Sequence, residues 1–443
     1  MNYEKLDELF DRLWPICRSI TGPGISQSLE IMQDYIPIAI KEIPTGTQVF
    51  DWIVPQEWAL DRATLTTEDG DVMLDTEISN IHVLNFSEPF SGVVSYEELE
   101  KHLYSAPAFP EAVPYVTSYY APRWGLCISD KQKTSLRTDI NYVVDIKTRK
   151  FDGFLRYGEY FLKGETEETI LLTTYLCHPS LANNELSGPL ALAAIYNKLK
   201  NLKNRKFSYR FVVVPETIGS ISFLAQSSAA DLSNVVAGVV LTCLGGPSNK
   251  VSFKHSRRHW IEQDSFIDAL VEKVCDKDKL LFERRNFSPV GGSDERQFCS
   301  PAINLPVVQA ARTLYGQYDE YHTSLDDKEF MRISSVIDSV EKIYLFLKIY
   351  ELESCLLQSF VKGGEPMLGK RELYPSVNSS LTRKMSGDGK FDGREQLNLM
   401  LNVLSLIDGK HRLSNISEKL DVPLSKLVHV IEELIDKGVI CHG

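Results

Sequence analysis

The sequence predicts an α/β protein with a mostly parallel sheet covered by helices on both faces, an inserted β-rich domain and a C-terminal winged helix-turn-helix. Near-continuous apolar strands alternate with helices between residues 150 and 355, as in sheets that are buried on both faces. Short strand-like runs separated by Pro and Gly fill residues 51–149, which indicates a mostly β module.

Residues 1–50 are predicted to belong to the same domain as residues 150–355. Apolar residues between positions 3 and 20 recur at the spacing of one helical face. The segment Thr21-Gly22-Pro23-Gly24 then interrupts this helix, and a second helix is expected from Ser26 to Tyr35.

An aromatic cluster stands out within the β-rich domain. It consists of Tyr115, Tyr119, Tyr120 and Trp124. These rings could form a sugar-stacking face or cap a catalytic cleft. We expect them instead to fill the core of the domain, because aromatic side chains bury large apolar areas.

The predicted sheet runs through four apolar segments. They read ETILLTTYL, YRFVVVPE, VVAGVVLTCL and NLPVVQAA. A long helix at 333–357 ends this block. Because ligand sites in such sheets gather at the carboxyl ends of the strands, we expect functional residues in the loops that follow them.

The C-terminal part divides into a linker at 356–392, rich in Gly, Ser, Lys and Pro, and a unit at 393–443. The latter is predicted to fold as helix, helix, turn, helix and closing strand, the outline of a winged helix-turn-helix. Residues 391–443 contain six basic and eight acidic residues. DNA-reading helices are normally richer in Lys and Arg, so packing against the main body or a protein partner is favoured.

Composition excludes several functional classes. The chain has 443 residues, of which 48 are Lys or Arg and 60 are Asp or Glu, so its net charge is −12. This negative charge disfavours non-specific binding to nucleic acid or to an anionic membrane. It lacks an apolar run of the roughly 20 residues that span a bilayer, so a cytoplasmic protein is expected. The eight cysteines are scattered without a CxxC pair, so free thiols are predicted.

Two loops that follow predicted strands each carry a histidine. His178 and Glu185 come after the first strand, and His322 after the last. Imidazole nitrogen and carboxylate oxygen are ligands that suit zinc. Each histidine alone is more often a structural residue. Two histidines with Glu185 and Glu216 at strand ends of one sheet, however, are what a hydrolytic zinc site requires.

Glu216 directly follows an apolar strand, where low dielectric raises the pKa toward that of a general base. Its negative charge could equally serve to stabilise the N-terminus of the following helix. Asp294, Arg296 and Tyr321 are candidates for binding the substrate, although Asp294 and Arg296 could form a surface ion pair.

A second pair of histidines, His255 and His259, lies four positions apart in the sequence. The segment KHSRRHW around them indicates a solvated basic patch, and we expect no metal there.

These residues carry a resemblance to a known clan. The segment from 170 to 330 resembles the core of the zinc-dependent exopeptidases, which include the M28 aminopeptidases. The matching pieces are His178, Ser187-Gly188, Glu216 with Gly219, and Tyr321-His322-Thr323. More closely, WPICRSITG at 14–22 and CHPSLANNELSGP at 177–189 are similar to a bacterial aminopeptidase-like family. Its members carry an inserted β domain and a C-terminal winged helix, and some are described as polysaccharide-biosynthesis proteins.

Three ligands of the two-metal M28 site are missing. Asn184 stands where an Asp bridges the metals, Thr217 where a ligand Glu follows the base, and Leu241-Thr242-Cys243 where a strand ends in a ligand Asp. The resemblance therefore implies one zinc ion, held by His178, His322 and Glu185, with Glu216 as the base. Whether Asn184 or Glu185 faces the metal stays open, because adjacent loop residues can point either way.

The sequence thus predicts a zinc-dependent hydrolase of the aminopeptidase type that cleaves an amide bond in a small peptide or an acylated sugar. One alternative is a catalytically silent protein that binds a peptide or glycan in the same pocket. Another is a regulator that acts through the C-terminal unit. No nucleic acid or membrane partner is expected, and a homo-oligomer is left open.

Overall fold

The computed structural model describes residues 1–361, 363–374 and 393–442. The linker predicted at 356–392 therefore lies partly outside the described residues. The chain divides into two compact units. The first unit consists of Met1–Asp268 and Glu283–Ile343, and the second of Ala269–Phe282 and Tyr344–Gly443.

The strands follow one another along the chain in this order: β1 (Ala39–Pro44), β2 (Gln48–Val49), β3 (Trp52–Ile53), β4 (Glu57–Thr67), β5 (Val72–Asp75), β6 (Phe90–Ser95), β7 (Leu103–Tyr104), β8 (Leu126–Cys127), β9 (Asn141–Phe151), β10 (Phe154–Leu162), β11 (Thr169–Tyr175), β12 (Ser208–Val214), β13 (Val235–Leu241), β14 (Val251–Lys254), β15 (Phe282–Arg285), β16 (Val307–Ala311), β17 (Leu357–Ser359) and β18 (Ile440–His442).

The α-helices are α1 (Tyr3–Leu13), α2 (Pro23–Gln33), α3 (Tyr96–Glu100), α4 (Asp130–Thr134), α5 (Ser187–Leu199), α6 (Ile218–Gln226), α7 (Ala229–Ser233), α8 (Arg257–Trp260), α9 (Phe266–Lys277), α10 (Glu295–Phe298), α11 (Ile333–Glu353), α12 (Gly393–Leu406), α13 (Leu413–Leu420) and α14 (Leu424–Asp436). Short 3₁₀ turns occur at Asn80–His82 and Gly369–Arg371, and a π-helical turn at Ala182–Leu186.

Eight strands form the main sheet, in the order β1-β10-β12-β11-β13-β16-β14-β15. The four central strands β12, β11, β13 and β16 are parallel, while β1, β10 and β14 pair antiparallel toward the edges. The predicted α/β fold class is confirmed. Because the parallel strands share one direction, the loops after them lie at the same edge of the sheet.

The centre of this sheet is covered on both faces. Every residue of β11 is buried, as expected for a strand between two layers of helices. Helix α5 starts against the sheet at Gly188, where a Cβ would lie 2.6 Å from the Leu241 carbonyl oxygen. Glycine is therefore required for this close approach.

The N-terminal helices begin and end earlier than predicted. Helix α1 ends at Leu13, because Pro15 cannot donate a helical hydrogen bond and its ring restricts the residue before it. Helix α2 begins at Pro23 instead of Ser26, since proline is well suited to the first helical position.

A four-stranded antiparallel sheet, β5-β4-β9-β6, supplies the β-rich part of the fold. Its long strands β4 and β9 pair from Glu57 with Phe151 to Thr67 with Tyr142. Trp58 from β4 and Val144 from β9 are buried in its core.

In the second unit, α12, α13 and α14 are followed by β18, which pairs antiparallel with β17. This confirms the predicted C-terminal winged helix. The start of α13 is fixed by Glu353, whose carboxylate accepts the Ser414 N–H at 2.7 Å and the Ser414 hydroxyl at 2.6 Å.

Within the described ranges, every helix falls short of the length and apolar character that crossing a membrane requires.

Candidate active site

The loop after β11 carries His178, whose ring is held by a buried carboxylate. His178 Nδ1 lies 2.6 Å from Glu185 Oε2, and the other Glu185 oxygen accepts the backbone N–H of Cys177. The π-helical turn Ala182–Leu186 brings Glu185 to this place. Burial by itself would lower the pKa of His178, but the charges and hydrogen bonds of Cys177 and Glu185 raise it well above its usual value. Because Glu185 occupies Nδ1, the nitrogen that remains for a ligand is Nε2.

Arg18, from the segment WPICRSITG, lies against this loop. Its side chain is fully buried. Nε donates to the His178 carbonyl at 3.0 Å, and Nη1 donates to the Leu13 carbonyl at 2.5 Å. Nε is also 4.0 Å from Glu185 Oε1. Since a buried carboxylate needs an opposite charge nearby, Arg18 both compensates Glu185 and holds the His178 backbone. Helix spacing alone could not decide whether Arg18 reaches this loop.

Glu216 follows β12 and points toward the same histidine. Its Oε2 lies 3.6 Å from His178 Nε2, and its Oε1 accepts a hydrogen bond of 2.7 Å from Ser293 Oγ. Burial raises the pKa of Glu216, and the charge of His178 offsets part of this rise. The carboxylate therefore faces the free nitrogen of His178.

The backbone beside Glu216 is strained. Thr217 has a φ of 64°, a left-handed value that β-branched residues rarely adopt. Its N–H donates to Asp294 Oδ1 at 2.7 Å. Asp294 is fully buried, and burial together with the charge of Glu216 raises its pKa well above the usual range. Strained residues of this kind collect at functional sites.

Two of the residues expected to bind substrate lie at the N-terminal end of α10, between β15 and β16. Asp294 is enclosed and bonded to the Thr217 backbone, so its contact is with the Glu216 loop. Arg296 is half-buried, and its Nε donates to the Ser293 carbonyl at 3.4 Å. Both side chains are thus linked to residues that surround Glu216.

His322 approaches from the loop after β16. The ring centres of His178 and His322 are 5.6 Å apart. Burial, followed by the charge of His178, lowers the pKa of His322 to about 3, so this ring is neutral at pH 7. Tyr321, the third residue expected to bind substrate, stacks on His322 with ring centres 3.9 Å apart. The two loops that the sequence singled out therefore meet.

Tyr115 from the β-rich insertion also lies at this site. Its ring centre is 5.0 Å from that of His178 and 5.3 Å from that of His322. Its N–H donates to the His322 carbonyl at 2.7 Å, and its hydroxyl bonds to that of Tyr119 at 2.7 Å. We expected a core residue of the insertion, whereas Tyr115 packs against both histidines. The remainder of the aromatic cluster is less directly involved, since Trp124 stacks on Phe90 with ring centres 4.1 Å apart.

Asn184 occupies the position at which the sequence lacks a bridging Asp. Its N–H donates to Asp326 Oδ2 at 2.9 Å, and its carbonyl accepts the Tyr175 hydroxyl at 2.8 Å. Within the described part of the chain, its buried side-chain nitrogen finds no hydrogen-bond partner. The carboxylate that touches His178 is that of Glu185, and Asn184 is turned toward Tyr175.

The spacing of the two histidine rings is compatible with a shared metal ion. Two imidazoles that share a zinc through bonds of about 2.0–2.1 Å have ring centres roughly 5–6 Å apart, in agreement with the 5.6 Å found here. Cys177, His178 and Glu185 also have ligand atoms within 4.8 Å of one another. However, both Glu185 oxygens already accept hydrogen bonds, so the histidine nitrogen that stays open, on the opposite side of the ring, is His178 Nε2.

Comparison with known families covers almost the whole chain. Residues 7–353 match the family described as a domain of unknown function, DUF4910, and residues 356–442 match the family described as winged helix-turn-helix. A protein of Clostridium acetobutylicum named "Putative polysaccharide biosynthesis protein with aminopeptidase-like domain" is 38% identical over 427 residues, which is 96% of this chain and 93% of that protein.

Solved structures share the fold. A crystal structure of a "putative peptidase" from Clostridium acetobutylicum has a TM-score of 0.83 and 35% identity, covering 100% of this chain and 96% of that one. A zinc aminopeptidase from Bacillus subtilis has a TM-score of 0.57 and 11% identity, covering 78% of this chain and 93% of that one. At this identity the second likeness concerns the fold alone.

Proposed function

The chain belongs to the DUF4910 family, and from its aminopeptidase fold and the residues that meet at its site we propose that it is a zinc-dependent hydrolase of the aminopeptidase type, which cleaves an amide bond. The resemblance to aminopeptidase-like proteins with a C-terminal winged helix is confirmed. One observation carries the proposal: His178 and His322 converge, with their ring centres 5.6 Å apart, and Glu216 Oε2 lies 3.6 Å from the free nitrogen of His178.

His178 Nε2 and His322 are the proposed protein ligands. His178 is buried and His322 is half-buried. The lowered pKa of His322 keeps its ring in the neutral form that metal binding needs, whereas His178, whose pKa is raised, would have to lose its Nε2 proton when a metal binds. Zinc bound there would polarise the scissile carbonyl and lower the pKa of water. Glu185 is assigned a different role from the one expected at first: it fixes the orientation of His178 through Nδ1.

Glu216 is the proposed general base. Its raised pKa brings the carboxylate closer to the operating pH, where a base works best. It takes a proton from the water that attacks the carbonyl carbon, and it returns this proton to the nitrogen as the carbon–nitrogen bond breaks. The products are an amine and a carboxylic acid. Ser293 holds one Glu216 oxygen, so that the other remains directed at His178.

The substrate is proposed to be a small peptide or an acylated amino sugar. Aminopeptidase-type fold neighbours support the first, and the name of the Clostridium relative, which mentions polysaccharide biosynthesis, supports the second. Both substrates contain the amide bond on which this chemistry acts.

A second candidate is a catalytically silent protein that binds a peptide or glycan at the same place. The observation that favours it is the replacement of three carboxylates of the two-metal site by Asn184, Thr217 and a strand end at Thr242-Cys243. Metal content distinguishes the two functions, because a binding protein of this kind does not require zinc.

The test combines metal analysis with one substitution. We expect the purified full-length chain to contain about one zinc ion and to hydrolyse aminoacyl amides. Glu216→Gln should abolish hydrolysis while zinc remains bound. Glu167→Gln, at a side chain that is 71% exposed, should leave both properties unchanged. A correctly folded chain that is free of metal would favour the silent binding protein.

A further inference from the structure

A cavity of about 500 Å³ lies in the first unit, beside the segment WPICRSITG. The proposed reaction makes no use of this cavity. Its walls include Trp14 and Cys17 from that segment and Asn80 from the β-rich insertion. Ile78, whose side chain is 80% exposed, also lies at its wall.

The cavity shares its walls with the two histidine loops. Ser180 and Ser324 line it, and each comes two residues after a site histidine in the sequence. Ser180 Oγ donates to Asn80 Oδ1 at 2.5 Å, and Asn80 Nδ2 donates to the Pro15 carbonyl at 3.3 Å. The proposed zinc ligands and Glu216 do not line the cavity, so it is a separate site next to the first.

The residues that line the cavity disfavour a negatively charged ligand. Among the described residues, those that line the cavity include neither Lys, Arg nor His. Two carboxylates belong to the wall, and each is already paired: Asp61 with Arg149 at 3.3 Å, and Glu77 with Arg62 at 3.2 Å. A negatively charged ligand would therefore find no cation inside, and a strongly cationic one would compete with these pairs.

The remaining surface combines apolar and hydrogen-bonding groups. The indole of Trp14 and the side chains of Leu60 and Ile78 are apolar, while an amide and several hydroxyls are contributed by Asn80, Ser180 and other residues. Ligand pockets are typically apolar with a few well-placed polar groups. A sugar ring presents both kinds of surface, apolar C–H faces and a rim of hydroxyls.

We propose that this cavity binds a neutral sugar ring. The site lies beside the proposed zinc centre but depends neither on a metal nor on Glu216, so its binding can be measured whether or not the chain hydrolyses amides.

The test uses saturation-transfer NMR on the full chain with glucose, galactose, N-acetylglucosamine and glucuronate as probes. At least one neutral sugar should receive saturation, and glucuronate should receive much less. Ile78→Arg places a long cationic side chain at the wall of the cavity and should weaken binding by at least tenfold. Because Ile78 is exposed, this variant should fold normally.

Val72→Arg is the matched control, since Val72 is also exposed, at 57%, but does not line the cavity. It should bind the sugar as the unmodified chain does. Glu216→Gln should bind it equally well, which separates this site from the proposed hydrolase. The proposal is overturned if none of the neutral sugars binds, if glucuronate binds equally well, or if Ile78→Arg leaves binding unchanged.

Discussion

Glu185 Oε2 lies 2.6 Å from His178 Nδ1, seven residues away in the sequence. This hydrogen bond occupies one ring nitrogen of His178. The other nitrogen, Nε2, faces Glu216, whose Oε2 is 3.6 Å away. A carboxylate behind a ligand histidine is a common arrangement at zinc sites, because it fixes the tautomer and raises the basicity of the ring. The same loop thus supplies both a proposed ligand and the group that orients it.

Glu185→Gln should weaken zinc binding without abolishing it. The amide can still accept a hydrogen bond from Nδ1–H but lacks the charge, and loss of such a partner typically reduces metal affinity about 10–100-fold. Competition with a chromogenic chelator measures this change. His178→Ala should remove binding altogether. If Glu185→Gln removes zinc as completely as His178→Ala does, Glu185 is itself a ligand.

Arg18→Met should destabilise the fold. It leaves the buried Glu185 carboxylate without the Arg18 guanidinium, 4.0 Å away, and removes two hydrogen bonds to carbonyl groups. Breaking a buried pair from one side typically costs about 3–5 kcal/mol. Urea denaturation gives the free energy of unfolding.

Arg12→Met serves as the control for Arg18, since Arg12 forms an exposed ion pair with Asp34 at 2.7 Å. Such a pair contributes about 0–1 kcal/mol. The double variant Arg18→Met with Glu185→Gln should lose less free energy of unfolding than the sum of the losses of the two single variants, because no unpaired buried carboxylate remains. A loss for Arg18→Met no larger than that of Arg12→Met would contradict the assigned role.

The sequence could predict where the site lies but not how its side chains turn. The apolar run at Thr169–Tyr175 predicts a buried strand, and strand direction then brings the loops of His178 and His322 to one edge. Nothing in the spacing shows whether Asn184 or Glu185 turns toward His178, because a π-helical turn at Ala182–Leu186 decides it.

Contacts between segments distant in the chain were harder to foresee. Tyr115 reaches both histidines because a backbone bridge joins Pro114 to Thr323, and no local pattern indicates this pairing. The expected solvated basic patch was wrong at Lys254 and His255, which are 2% and 0% exposed. Lys254 ends strand β14 and pairs with buried Glu295 at 2.8 Å, so its charge is compensated within the fold.

Asp268→Asn should reduce stability at neutral pH but much less in acid. Burial by itself would raise the pKa of Asp268, but hydrogen bonds from His255, Ser256 and Ser265 lower it to about 2. Because the pKa in the folded state lies below that of the unfolded chain, the stabilisation is complete above about pH 4 and is lost as the pH falls toward 2. The difference corresponds to about 2 kcal/mol.

Urea denaturation of the Asp268→Asn variant at pH 7 and pH 3 tests this dependence. Asp264→Asn is the control, since Asp264 is 54% exposed and bonds to a partly exposed His259, and it should change stability little at either pH. An Asp268→Asn effect of equal size at both pH values would contradict a lowered pKa.

The full-length chain should not bind double-stranded DNA through α14, the second helix of the helix-turn-helix. One side of this helix is occupied within the second unit: Asp278 accepts the Ser425 hydroxyl, Lys348 pairs with Glu432 at 2.8 Å, and Gln396 donates to Glu433 at 3.1 Å. A reading helix must instead present free Arg, Lys or amide groups to base edges. In a gel-shift assay at low salt, we expect no complex at micromolar protein concentrations, where non-specific DNA binders already associate. A retarded band that disappears as salt is raised would contradict this expectation and would revive the regulatory alternative.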